Sequence, residues 1–129
     1  MKELLGRLED EPIKNIEFKG GWVSLEYDGK KLKNKIIVEK HQEFVGRWDV
    51  YINAVYLDDD LKGIDMEAVA IHETIEKYVS QKYGLNSYKD GHEIATMKER
   101  EFIEKKNGSW VSHQTKVANV WKKENKKQY

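Results

Sequence analysis

The tract Ala70-Ile71-His72-Glu73-Thr74-Ile75-Glu76 holds the residues best suited to chemistry. On a helix, His72 and Glu76 are one turn apart on the same face, so an imidazole nitrogen and a carboxylate oxygen can grip a single cation. A second pair, His92 and Glu99, follows further along the chain. Cysteine is absent, so a metal site here must be built from imidazoles and carboxylates, which suits zinc or another divalent transition metal.

The elements carrying these residues make the case stronger than the spacing alone. At about 100° per residue, Ala68, Val69, Ile71, Ile75, Tyr78, Val79 and Tyr83 sweep one broad apolar arc, with His72 and Glu76 inside it and Glu73 at its edge. An ionised carboxylate buried alone costs several kcal/mol, so Glu76 requires a cation, a histidinium or a strong donor. The second helix repeats the anomaly: Tyr88, Gly91, Ala95, Phe102 and Ile103 form its apolar arc, with His92 and Glu99 in the middle. The short Gly84-Leu85-Asn86 connection makes the two helices antiparallel neighbours, which brings all four polar side chains toward one point. His92 and Glu99 are about 10.5 Å apart along the helix axis, so one is expected as a direct ligand and the other behind a ligand. The alternative is a buried His/Glu network that satisfies itself without metal. His113 shares a helix face with Trp110, Val117 and Trp121 and is read as a packing residue, while His41 follows a strand among polar residues.

The 129 residues fit a single domain of α+β class, 1–129, with an N-terminal, mainly antiparallel four-stranded sheet followed by three helices. Residues 2–9 form a short bracing helix ahead of the sheet. Residues 13–18, 22–27, 35–39 and 48–57 read as strands, with Gly20-Gly21 and Asp28-Gly29 supplying the positive φ of tight hairpins. An antiparallel meander is the economical arrangement. In residues 48–57, Trp48, Val50, Ile52, Ala54 and Tyr56 alternate with a mixed face, and Asp58-Asp59-Asp60 ends the strand. The period then becomes helical over 66–83, with Asp65 as N-cap and Gly84 as the stop. A second helix starts at Ser87 and ends before Asn107-Gly108, and a third runs from Ser109 into the basic run that begins at Lys122-Lys123.

The His-Glu-x-x-Glu helix resembles the HExxH helix of zincin metallopeptidases, with Glu76 where that family has its second histidine. The tract from Ala70 to Glu76, continued by Gly91-His92-Glu93-Ile94-Ala95 and Glu99, is also similar to a pattern in small uncharacterised proteins of archaea and their mobile elements. The zincin resemblance implies a minimal zincin-like fold in which a strand beside the active helix, here 48–57, pairs with an extended substrate. It further implies that His72, Glu76 and either His92 or Glu99 hold the metal, with Glu73 as the catalytic general base.

The expected function is therefore a metal-dependent hydrolase, a zincin-like peptidase acting on a peptide or protein. The alternative is a non-catalytic, metal-stapled module that binds protein or nucleic acid. Acidic and basic residues balance at 23 each, so no overall field draws the chain to nucleic acid or to an anionic membrane. No run approaches the roughly 18 apolar residues of a membrane span, and the N-terminus lacks an apolar signal core, which points to the cytoplasm. Lys and Glu enrichment without cysteine is the composition of a heat-adapted source.

Overall fold

A computed structural model describes residues 2–40 and 44–125, with side chains to residue 122. His41 and most of the basic C-terminal run lie outside those limits. The chain is α+β, with element order α1 (Lys2–Asp10), β1 (Lys14–Lys19), β2 (Trp22–Tyr27), β3 (Lys30–Glu39), β4 (Gly46–Trp48), β5 (Ala54–Asp58), α2 (Gly63–Tyr83), α3 (Asp90–Lys105) and α4 (Trp110–Asn125). Among the described residues no helix is long and apolar enough to cross a membrane.

The sheet differs from the expected meander. It has five strands in the order β1-β2-β3-β5-β4, and β3 pairs with β5 in parallel while the other pairings are antiparallel. The two N-terminal hairpins turn as their sequences require, with φ of 59° and 80° at Gly20 and Gly21 and 53° and 71° at Asp28 and Gly29. The single strand expected over 48–57 is instead two strands folded back on each other. Asp49 is the reason: its Oδ1 accepts the backbone N–H of Tyr51 at 2.7 Å and of Ile52 at 3.0 Å, so the chain turns where apolar alternation suggested it would continue. Val50, Tyr51 and Ile52 consequently project into solvent. β5, with Ala54, Val55, Leu57 and Asp58 all buried, takes the interior position, and the short β4 takes the edge.

Four helices, counting the expected N-terminal brace, complete the fold. α2 packs on the sheet through β2, β3, β4 and β5 and on its other sides against α3 and α4. That double burial explains why polar residues within it, among them His72, Glu73, Thr74 and Glu76, are buried along with Ile71 and Ile75. Gly84 ends the helix in the left-handed region, φ 68°, as expected. α2 starts ahead of Asp65, so Asp65 is not its cap but a buried first-turn carboxylate. α3 starts at Asp90 rather than Ser87, because Asn86 first makes a turn, its Oδ1 accepting from the Tyr88 N–H and its carbonyl from the Gly91 N–H. The Ser109 hydroxyl accepts from the N–H of Ser112 and opens α4.

Candidate metal centre

His72 lies on the face of α2 that meets α3, and both of its ring nitrogens are engaged. Nδ1 is 2.8 Å from Glu99 Oε1, and Nε2 is 3.1 Å from Glu76 Oε2. The same Glu76 oxygen is 3.2 Å from Nδ1 of His92, which comes from the first turn of α3. The two imidazoles meet edge to face, with ring centroids 4.7 Å apart. Of the sequence-predicted ligands, His72, Glu76 and His92 thus bring donor atoms within 4.8 Å of one another. Glu99 instead stands behind His72, on the nitrogen turned away from Glu76.

This set could hold a metal ion. Two ligands bound at ~2.0–2.1 Å to tetrahedral zinc are separated by about 3.3–3.4 Å. The 3.1 and 3.2 Å separations about Glu76 Oε2 are close to that edge length. An imidazole bound through Nε2 whose Nδ1–H donates to a carboxylate is the usual way a metal-bound histidine is oriented, and Glu99 is placed to do this for His72.

Glu73 differs from its neighbours. It is buried, 7% exposed, and among the described residues its carboxyl makes no hydrogen bond; its nearest charged partner is His72 Nε2, 4.0 Å from Oε2. Burial, reinforced by the charges of Glu76 and Glu99 against the opposing pull of His72, pushes its pKa up to about 8. Glu76 goes the other way. Burial opposes its charge, but hydrogen bonds from His72, His92 and Trp48 bring it down to about 2. His72 is likewise penalised by burial, yet Glu76 and Glu99 accept from it and raise it to about 10.

Three contributors escaped the sequence reading. Trp48, taken there only as an apolar strand residue, donates its indole N–H to Glu76 Oε1 at 3.1 Å and thereby leaves Oε2 for the two histidines. His113 is indeed buried, at 2% exposure, but as part of the polar cluster: Nε2 donates to Glu99 Oε2, and Nδ1 lies 2.7 Å from Oδ1 of Asp65. Gly46 lets the edge strand approach α2, since a Cβ there would lie 2.8 Å from Val69 Cγ1 and 3.1 Å from Glu73 Cγ. No local pattern marks the Trp48 or His113 contacts. Only the glycine inside a β stretch is a known signal of close backbone approach.

The centre opens into a cleft along β4. One lobe, of about 450 Å³, is bordered by Trp48, Val50, Tyr88 and His92; the other, of about 360 Å³, by Val69, Trp110, Val117 and Trp121. His72, Glu73 and His92 line both lobes, so they sit where the two meet. A second group of carboxylates, Asp58, Asp59 and Asp60, also converges, but within the turn after β5, where Asp58 Oδ1 accepts the Asp60 N–H. No protein-family model, curated protein or solved structure matches the chain.

Proposed function

We propose that the protein is a metal-dependent hydrolase of zincin-like design, acting on peptide bonds, in which His72, Glu76 and His92 hold zinc or another divalent transition metal. The observation that carries this reading is the convergence of three donors on one point beside a buried carboxyl, Glu73, that has no hydrogen bond. A self-sufficient network gives every buried acid a partner. Glu73 has no hydrogen bond, only the His72 ring 4.0 Å away, and it faces the cleft.

Each residue then has a defined task. Zinc held there would supply Lewis-acid activation of water and of a carbonyl group. Glu73 accepts the proton of the attacking water and delivers it to the leaving amine. Positive charge held against His72 and Glu76 favours the ionised form of Glu73, so its raised pKa in the metal-free protein is compatible with a basic role. Glu99 keeps the His72 ring in orientation, which assigns Glu99 a supporting place and His92 the third ligand. His72, Glu76 and His92 would hold the ion, a three-residue set of the kind found in catalytic rather than structural zinc sites.

Peptide as substrate is supported by the edge strand. Val45 O accepts from the Asp58 N–H and the Asp49 N–H donates to Ala54 O, so residues 45, 47 and 49 direct their backbone groups to β5. By the alternation of an antiparallel ladder, Gly46 and Trp48 direct theirs outward along the cleft, where an extended chain can pair. The test is elemental analysis of protein purified without added metal, followed by cleavage assays on a quenched-fluorescence peptide library. We expect about one zinc per chain, cleavage by the wild type, and a Glu73→Gln variant that keeps the metal and loses cleavage. Zinc bound without cleavage in either protein would favour the metal-stapled binding module.

A further inference from the structure

We propose that His113, backed by Asp65, is a positioning residue of the centre: it holds Glu99 in the one orientation in which that carboxylate fixes the His72 ring. The geometry stands on its own, while the consequence for metal binding rests on the proposed function above.

A His72 ring that binds an ion through Nε2 is oriented by what its Nδ1 meets, and Glu99 Oε1, 2.8 Å from Nδ1, is that partner. Glu99 itself is a long side chain from α3 that reaches His72 across a helix interface, and among the described residues its carboxylate is bonded only from α2 and α4. Its second oxygen is taken by Nε2 of His113 on α4. His113 is 2% exposed, its other nitrogen is held by Asp65 at 2.7 Å, and the Trp110 ring lies against it with centroids 5.5 Å apart. Lys116 Nζ, 3.5 Å from the other Asp65 oxygen, completes the chain of contacts.

The path of these contacts makes them more than an ion pair between helices. It leaves α2 at His72, crosses α3 at Glu99 and α4 at His113, and returns to α2 at Asp65. The closed loop runs through three helices, and Glu99, His72 and His113 are each held at both polar atoms of the side chain, by partners on two different helices. A pair whose only role was to dock α4 would not divide the two oxygens of Glu99 between two histidines. His92 has no such backing and its side chain is 56% exposed, so the pre-set ligand is His72 and the loop serves it.

The test uses the full chain with His113→Leu, which removes the donor to Glu99, and His113→Gln, whose amide can still donate. Zinc affinity is read by competition with a chromophoric chelator, folding by circular dichroism, and the His72 Nδ1–H proton by NMR. Losing a partner behind a metal ligand typically lowers metal affinity 10–100-fold. We expect that loss in His113→Leu with native helix content, and recovery of most of it in His113→Gln. Wild-type affinity in a folded His113→Leu protein, or equal weakness in both variants, overturns the proposal. Should the wild type take up no zinc, the metal reading fails separately. The slowly exchanging His72 Nδ1–H signal of metal-free protein then decides: lost in His113→Leu and kept in His113→Gln supports positioning, and kept in both overturns it. Should His113→Leu not fold, Asp65→Asn replaces it, with a several-fold loss of affinity expected and an unchanged value overturning the proposal.

Discussion

Replacing Glu73 by Gln should abolish the proposed chemistry and at the same time stabilise the metal-free protein in alkaline solution. The Glu73 carboxyl is buried without a hydrogen bond, and burial lifts its pKa from an ordinary 4.5 to about 8. Between those values the folded chain holds a proton that the unfolded chain has released. Stability therefore falls as pH rises through that window, by at most about 1.4 kcal/mol per pH unit. The ceiling over the whole window is roughly 5 kcal/mol, and local relaxation with water entry from the cleft reduces it to about 1–3 kcal/mol. Gln has nearly the same shape and no charge to bury, so it does not incur this loss. The assay is urea unfolding of both proteins, with chelator present, at pH 5, 7 and 9. The variant should match the wild type at pH 5 and exceed it by about 1–3 kcal/mol at pH 9. His72, raised to about 10 in part by the Glu73 charge, adds its own loss of stability above pH 6.5 that is smaller in the variant, so the difference between the proteins reports Glu73 together with its coupling to His72. Parallel pH profiles, or a variant weaker at every pH, would refute the picture of Glu73 as a buried, unpartnered acid.

Chelation at neutral pH should lower the melting temperature and zinc should restore it, since an ion that binds only the folded state at 100 times its Kd contributes about 2.7 kcal/mol; His72→Ala should show no such response in differential scanning fluorimetry. Trp48→Phe keeps the ring but deprives Glu76 Oε1 of its donor, and denaturant unfolding should show a loss of about 1–3 kcal/mol together with weaker zinc binding. Gly46→Ala forces a Cβ to within 2.8 Å of Val69 Cγ1. The edge strand must then move off α2, at about 1–3 kcal/mol, and wild-type stability would show that β4 does not pack as described.

What could be read from the sequence follows the reach of each interaction. The helix over 66–83 was legible because its apolar period is local, and His72, Glu76, His92 and Glu99 stood out because each breaks such a period. That a short connection brings the two helices together also needed only local information. The division of 48–57 was not legible, because Val50 and Ile52 continue the alternation of a strand and only the Asp49 carboxylate, bonding its own backbone, turns the chain. Parallel pairing of β3 with β5 follows from that turn and was lost with it. Asp65 reads as a helix cap because the start of a helix is where caps are found, yet its partner is His113, 48 residues away. His113 reads as packing because Trp110 and Val117 surround it on its own helix. The acids it joins come from two other helices, and no window along the chain contains them together.

The alternation of acid and imidazole through the core also sets how many protons a metal must displace. In the metal-free protein His72 donates to Glu99 and Glu76 through both nitrogens, and these bonds, against burial, hold it protonated to about pH 10. Glu73, with a pKa of about 8, is mostly protonated at pH 7 as well. A divalent cation held by His72 would take the place of one proton and bring one more positive charge than that proton did. The surplus acts on the nearest acid without a hydrogen bond, which is Glu73, and favours its ionisation. Filling the site would thus favour Glu73 as a base rather than a buried acid. Zinc uptake at pH 7 should accordingly release close to two protons, one from His72 and most of one from Glu73, and the Glu73→Gln variant should release about one. Isothermal titration in buffers of different ionisation enthalpy counts these protons directly. Release of a single proton by both proteins would mean that metal binding and the ionisation of Glu73 are not linked, and Glu73 could not then serve as the base.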